Sequence, residues 1–175
     1  LKLRETILAE HSKAQANKII RWIGSDQERF DELFRIFLND EYRVVQRAAW
    51  PLSYCVINHP VLIRKHFAKM IANLEKPGVG DAVKRNTLRL LQHIDLPEKY
   101  QGPILNLCLD YINDPREKIA VKAFALAILG RLYEYYPEIG PELKTIIESR
   151  WDYETPAFHS RARKILKQIN RTPQA

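Results

Sequence analysis

The side chains of this chain best placed to do chemistry are cations. Arg47, Arg85, Arg89, Lys164 and Lys167 fall in corresponding exposed columns of a segment that recurs along the sequence. Guanidinium and ammonium groups in such a row bind carboxylates or phosphates and break no bond by themselves. Residues for bond-making chemistry are sparse. The histidines are His11, His59, His66, His93 and His159; no pair has metal-ligand spacing and no cysteine pair supplements them. There is no glycine-rich phosphate loop and no nucleophile elbow. The sequence therefore assigns no catalytic residue, no metal and no cofactor. His59, at a joint just before Pro60, reads as a cap or surface residue, and His93 as a partly buried structural histidine. Cys55 and Cys108, each inside an apolar helical stretch, read as reduced buried thiols and not as a disulfide framework.

A repeat positions the cations. Val121-Lys122-Ala123-Phe124-Ala125-Leu126-Ala127-Ile128-Leu129-Gly130 recurs from Val83 to Leu91 and from Val45 to Leu52, with a weaker copy from Phe158 to Leu166. The offsets are 38, 38 and 37 residues, and a fixed period in this range marks a solenoid of helical pairs. Second helices of the pairs are predicted over 12–23, 41–58, 80–93, 117–136 and 156–170. First helices are predicted over 26–39, 61–76, 100–113 and 141–153, with 1–10 read as the remnant of another.

Apolar spacing supports these segments. Val121, Ala125, Ile128, Leu129 and Leu132 recur at steps of three and four, as do Leu33, Phe34, Phe37 and Leu38. Val45, Ala49, Val83, Leu90, Val121, Ala125, Ile128 and Leu129 are the expected interlayer core, because one repeat cannot bury its face alone. No sustained two-residue alternation occurs, so no sheet is expected. Asp26 and Asp81 are expected N-caps, and Pro60, Pro103 and Pro141 are expected to open first helices. Pro51 falls inside a helix and is expected to kink it.

The order Asp114-Pro115, Val121-Lys122, Ala125 and Leu129-Gly130, matched by Asp40, Val45-Gln46, Ala49 and Leu52, resembles the HEAT repeat. The resemblance covers nearly the whole chain, 1–175, as one domain. It implies an all-α, right-handed α-α superhelix of about 4.5 antiparallel helix pairs, with second helices lining a concave face. Lys84 and Lys122 stand where that family usually has arginine, and Gln46 and His159 depart from its ladder of acidic and basic residues.

The charge is unevenly divided. The chain carries a net charge of +7. The predicted second helices, counted through Arg171, hold +12, while the first helices and their flanks hold −3. A concave basic wall focuses potential and attracts polyanions. The same pattern also fits a merely solvated face, since lysine and arginine favour helix. No apolar run approaches the roughly 20 residues of a membrane span. With Met70 the only methionine, the initiator is expected to be trimmed or to precede Leu1. No signal-peptide pattern is seen at the start, and a cytoplasmic monomer is expected.

The aromatics add a second possibility. Trp22 and Trp50 fall in mostly apolar columns and Trp151 in a more exposed one. Of Tyr133, Tyr135 and Tyr136, at least one is expected to be exposed. A concave tryptophan beside a carboxylate would resemble the HEAT-like alkylpurine DNA glycosylases, but Asp81 has the pattern of a cap. The reading is a non-enzymatic scaffold whose basic groove holds an acidic protein segment or a nucleic-acid backbone. A glycosylase-type repair enzyme is the alternative.

Overall fold

Side chains spaced at helical period build helix after helix. The computed structural model describes residues 1–171. Among them the regular structure is ten α-helices and three short 3-10 segments, with no strand. Two compact units form, Leu1–Asp95 and Leu96–Ala175.

The first unit holds α1 (Leu3–Ala9), α2 (Lys13–Ile23), α3 (Gln27–Asn39), α4 (Tyr42–Asn58), α5 (Phe67–Leu74) and α6 (Asp81–Leu91); a 3-10 segment, Pro60–His66, leads into α5. Asp26 caps α3, accepting the Arg29 N–H at 3.1 Å. The face of α3 carrying Phe30, Leu33, Phe34 and Phe37 packs on α4, which turns its other sides to α2 and α6. α4 therefore buries Val44, Ala48, Ala49, Leu52, Cys55 and Val56. It runs unbroken through the buried Pro51.

The second unit holds α7 (Glu98–Asn113), α8 (Ile119–Tyr133), α9 (Gly140–Arg150) and α10 (Pro156–Ile169), with a 3-10 turn, Trp151–Tyr153, after α9. α8 packs on α7 and α10. It is apolar nearly all round, as a helix flanked on both sides must be. Val121, Ala123, Ala125, Leu126, Ile128, Leu129 and Leu132 are buried.

Several local expectations are corrected. Val45 is only half-buried, and Val44 takes the core position. Asp81 is the first residue of α6, not its cap; Gly80 holds the cap position with extended backbone. α7 begins at Glu98, so Pro103 lies inside it on an exposed turn. His93 is exposed because the chain has left α6, its N–H bonding the Leu90 carbonyl at 3.0 Å. The segment 1–10 is tied to α4: α1 packs against α2 and α4, and Arg4 grips Asp40 at 2.9 Å, just before α4.

A second tie joins α3 to the 3-10 segment. Asp31 pairs with Lys65, lies 2.7 Å from His66 Nε2 and accepts from Gln27 at 2.9 Å. His66 stacks on Phe34 at 4.4 Å. Burial by itself pushes the Asp31 carboxyl up, but the hydrogen bonds from Lys65, His66 and Gln27 outweigh it and hold it at about 2.

Two outcomes follow. Ile128→Ala, at a fully buried position, is expected to lower stability by about 2–5 kcal/mol in urea unfolding; a loss under about 0.5 kcal/mol would show that this face is not core. The stability contributed by Asp31 is present in full above its ordinary 3.8 and is lost as pH falls through about 2. Asp31→Asn should therefore flatten the acid limb of the stability profile across that window, measured by denaturation at successive pH values.

Candidate binding surface

The five cations singled out by the repeat divide between the units. Arg47, on α4, and Arg85 and Arg89, on α6, belong to the first; Lys164 and Lys167, on α10, belong to the second. Their environments differ. Arg85, Lys164 and Lys167 are exposed, and no carboxylate of the described residues stands within 4.0 Å of them. Arg47 and Arg89 are half-buried.

Arg47 has an internal task. Its Nη1 donates to the Leu8 carbonyl at 2.7 Å, satisfying an acceptor in the last turn of α1. Nearby, Trp50 is half-buried with its ring edge-on to His11 at 6.3 Å. Arg89 donates to Asn86 Oδ1 at 2.7 Å, and its guanidinium carbon lies 5.7 Å from the Tyr54 ring. Burial pushes Arg89 below its ordinary pKa, Tyr54 opposes this, and the like charge of Arg85 adds to it. Arg89 stays charged regardless. On α4 and α6 the arginines are thus interleaved with Trp50 and the exposed Tyr54.

In the second unit, α10 shows Arg163, Lys164 and Lys167 to solvent. Arg163 lies 5.5 Å from the Trp151 ring, which stacks on His159 at 4.3 Å. Trp151 is therefore half-buried, not open. Trp22 is also half-buried, under the Arg29 guanidinium at 4.9 Å. Tyr135 is the exposed member of its cluster; Tyr133 is buried, and Tyr136 donates to Gln101 Oε1 at 2.7 Å.

Lys122 adds to the positive count of the second helices, but its charge does not reach their surface. Its side chain is 3% exposed and pairs with Glu154, itself 5% exposed. Arg150 reaches the same carboxylate at 2.8 Å. Glu154 lies just before α10, whose N-cap Thr155 accepts the Phe158 N–H. The pair therefore joins the start of α8 to the start of α10, as Arg4 and Asp40 join α1 to α4. Repeat spacing had marked Lys122 as a departure from an arginine column, but gave no sign of its partner on the far side of α9.

Cys55 and Cys108 are free and buried; burial pushes Cys55 up to about 12 and Cys108 further. Asp81 is exposed in the first turn of α6, well suited to the helix dipole. Among the described residues no group of three His, Cys, Asp or Glu is placed to hold a metal ion, and no helix is long and apolar enough to cross a membrane.

Within each unit, helices packed side by side on a common core define an α-helical repeat scaffold. The family model for the HEAT repeat domain matches residues 3–169. The chain belongs to the HEAT-repeat family, a class of helical solenoids that generally bind other proteins. No curated protein and no solved structure matches the chain.

The buried pair is testable. Glu154→Leu strands the Lys122 ammonium and should cost about 3–5 kcal/mol in chemical denaturation. Adding Lys122→Met should recover most of that loss; failure to recover would show that the two charges do not depend on each other.

Proposed function

We propose that the protein is a non-enzymatic scaffold whose second-helix cations hold an acidic segment of a partner protein. The observation that carries this reading is the state of Arg85, Lys164 and Lys167: exposed, and without an internal carboxylate within 4.0 Å among the described residues. Cations that the fold does not neutralise are available to an external anion. Arg47 and Arg89 are half-buried and each donates to an internal acceptor, so they contribute mainly long-range charge. Membership of a protein-binding repeat family favours a protein as the source of the carboxylates. A nucleic-acid backbone offers related charge and is the outcome to be distinguished.

Poly-glutamate and duplex DNA, titrated against the full chain over a range of salt, separate the two. Poly-glutamate should bind at low salt, and replacing Arg85 and Arg89 together by alanine should mainly slow its association. If DNA binds instead, the same double change should flatten the log–log salt slope by roughly two. Binding of neither polymer at low salt would overturn the reading, and binding of DNA alone would replace it with a nucleic-acid one.

A further inference from the structure

α8 and α10 enclose a shallow groove of about 270 Å³ that lies within the second unit. Its floor is apolar, formed by Leu126, Ala127, Gly130 and Ile165. Its walls are charged: Arg131, Arg161 and Lys164, with Glu134 as the single carboxylate. α8 is buried almost all round, so its half-exposed Phe124, Ala127, Gly130 and Arg131 form a narrow stripe along this side. Two features keep the stripe a trough. Ala127 and Gly130 lack bulk, and a Cβ on Gly130 would come within 3.3 Å of Ile165 Cγ1. Arg161 lies with its guanidinium carbon 5.7 Å from the Phe124 ring, which directs the charge along the wall.

An apolar floor between cationic walls selects a ligand with both properties. A phosphodiester backbone fits poorly, because the neighbouring Phe124 ring is covered by Arg161, no aromatic ring lines the floor to stack a base, and Glu134 repels a continuous run of phosphates. A polypeptide can alternate an aliphatic side chain with carboxylates at a matching distance.

We propose that this groove seats a short acidic–apolar peptide segment of a partner protein. One aliphatic side chain enters over Ala127 and Gly130 against Ile165, and flanking carboxylates pair with Arg161 and Lys164. The inference rests on the acidic-partner reading and adds to it a place and an apolar requirement. The surface charge supplies encounter and orientation. The buried aliphatic group supplies the part of the affinity that salt does not screen.

The test uses the full chain and three fluorescein-labelled probes read by anisotropy: a peptide with one leucine flanked on each side by glutamates, the same peptide with serine for leucine, and duplex DNA. The leucine peptide should bind at least ~10-fold more tightly than the serine peptide, about 1.4 kcal/mol. Ala127→Leu, which fills the floor without changing charge, should erase that preference. Lys164→Glu, at an exposed position, should weaken both peptides, and Arg85→Ala with Arg89→Ala should leave the leucine preference intact. Thermal melts establish that each variant is folded.

The outcomes distinguish the two readings. If both peptides bind equally, and binding is lost with Arg85 and Arg89, the acidic-partner reading stands and the groove assignment falls. A leucine preference that survives Ala127→Leu, or peptide binding that Lys164→Glu leaves unchanged, also overturns the groove. Binding of neither peptide, whether or not DNA binds, overturns both.

Discussion

The buried pair of Lys122 and Glu154, joined by Arg150, ties α8, α9 and the start of α10 together in the second unit. An ammonium and a carboxylate taken almost out of water each carry a desolvation penalty of several kcal/mol, and only their mutual attraction and remaining hydrogen bonds offset it. Arg150 supplies two of those bonds, from Nε at 3.1 Å and Nη2 at 2.8 Å. The constraint is geometric as well as energetic. It fixes where α10 begins relative to the start of α8, with the Thr155 cap immediately following. Beyond that cap Phe158, Ala162 and Ile165 are buried on α10, which packs on α8, and Ile165 lies close to Gly130. A more exposed version joins Arg4 to Asp40 in the first unit, where the Arg4 guanidinium holds that carboxyl below its usual range. In both units a cation near one helix start reaches an acid placed just before a later second helix.

The cations therefore do two kinds of work. Lys122 is structural outright, and Arg47 and Arg89 are partly so, one satisfying the end of α1 and the other held by Asn86 beneath Tyr54. Arg85, Lys164 and Lys167 have no such internal partner among the described carboxylates. A count of charge per helix merges these groups, although only the second leaves its whole charge to solvent or to a ligand. The cations without an internal carboxylate are consequently fewer than the net charge of the second helices suggests, and one of them, Lys164, lines the trough between α8 and α10.

The helical pairs were legible from the sequence for a specific reason. Each repeat shares its core with its neighbours, so the apolar columns must recur at the repeat length, and Val121, Ala125, Ile128 and Leu129 announce it. Capping chemistry was legible where the side chain itself does the capping, as at Asp26. It failed at Asp81, where the backbone of Gly80 serves and the acidic side chain moves one place into the helix. Val45 failed for a related reason: the period locates a face to within one residue, and the neighbour Val44 faces inward.

By itself, the sequence determined the all-α repeat architecture, its family and the surplus of positive charge, because these depend on periodicity and composition. Tertiary structure decided which charges are available. Lys122 and Glu154 are 32 residues apart, and Asp31 and His66 are 35 apart; no local pattern pairs them, since the pairing depends on how the intervening helices fold back. The groove between α8 and α10 has the same origin. Gly130 and Ile165 are ordinary residues in their own helices and become a floor only where the two helices meet.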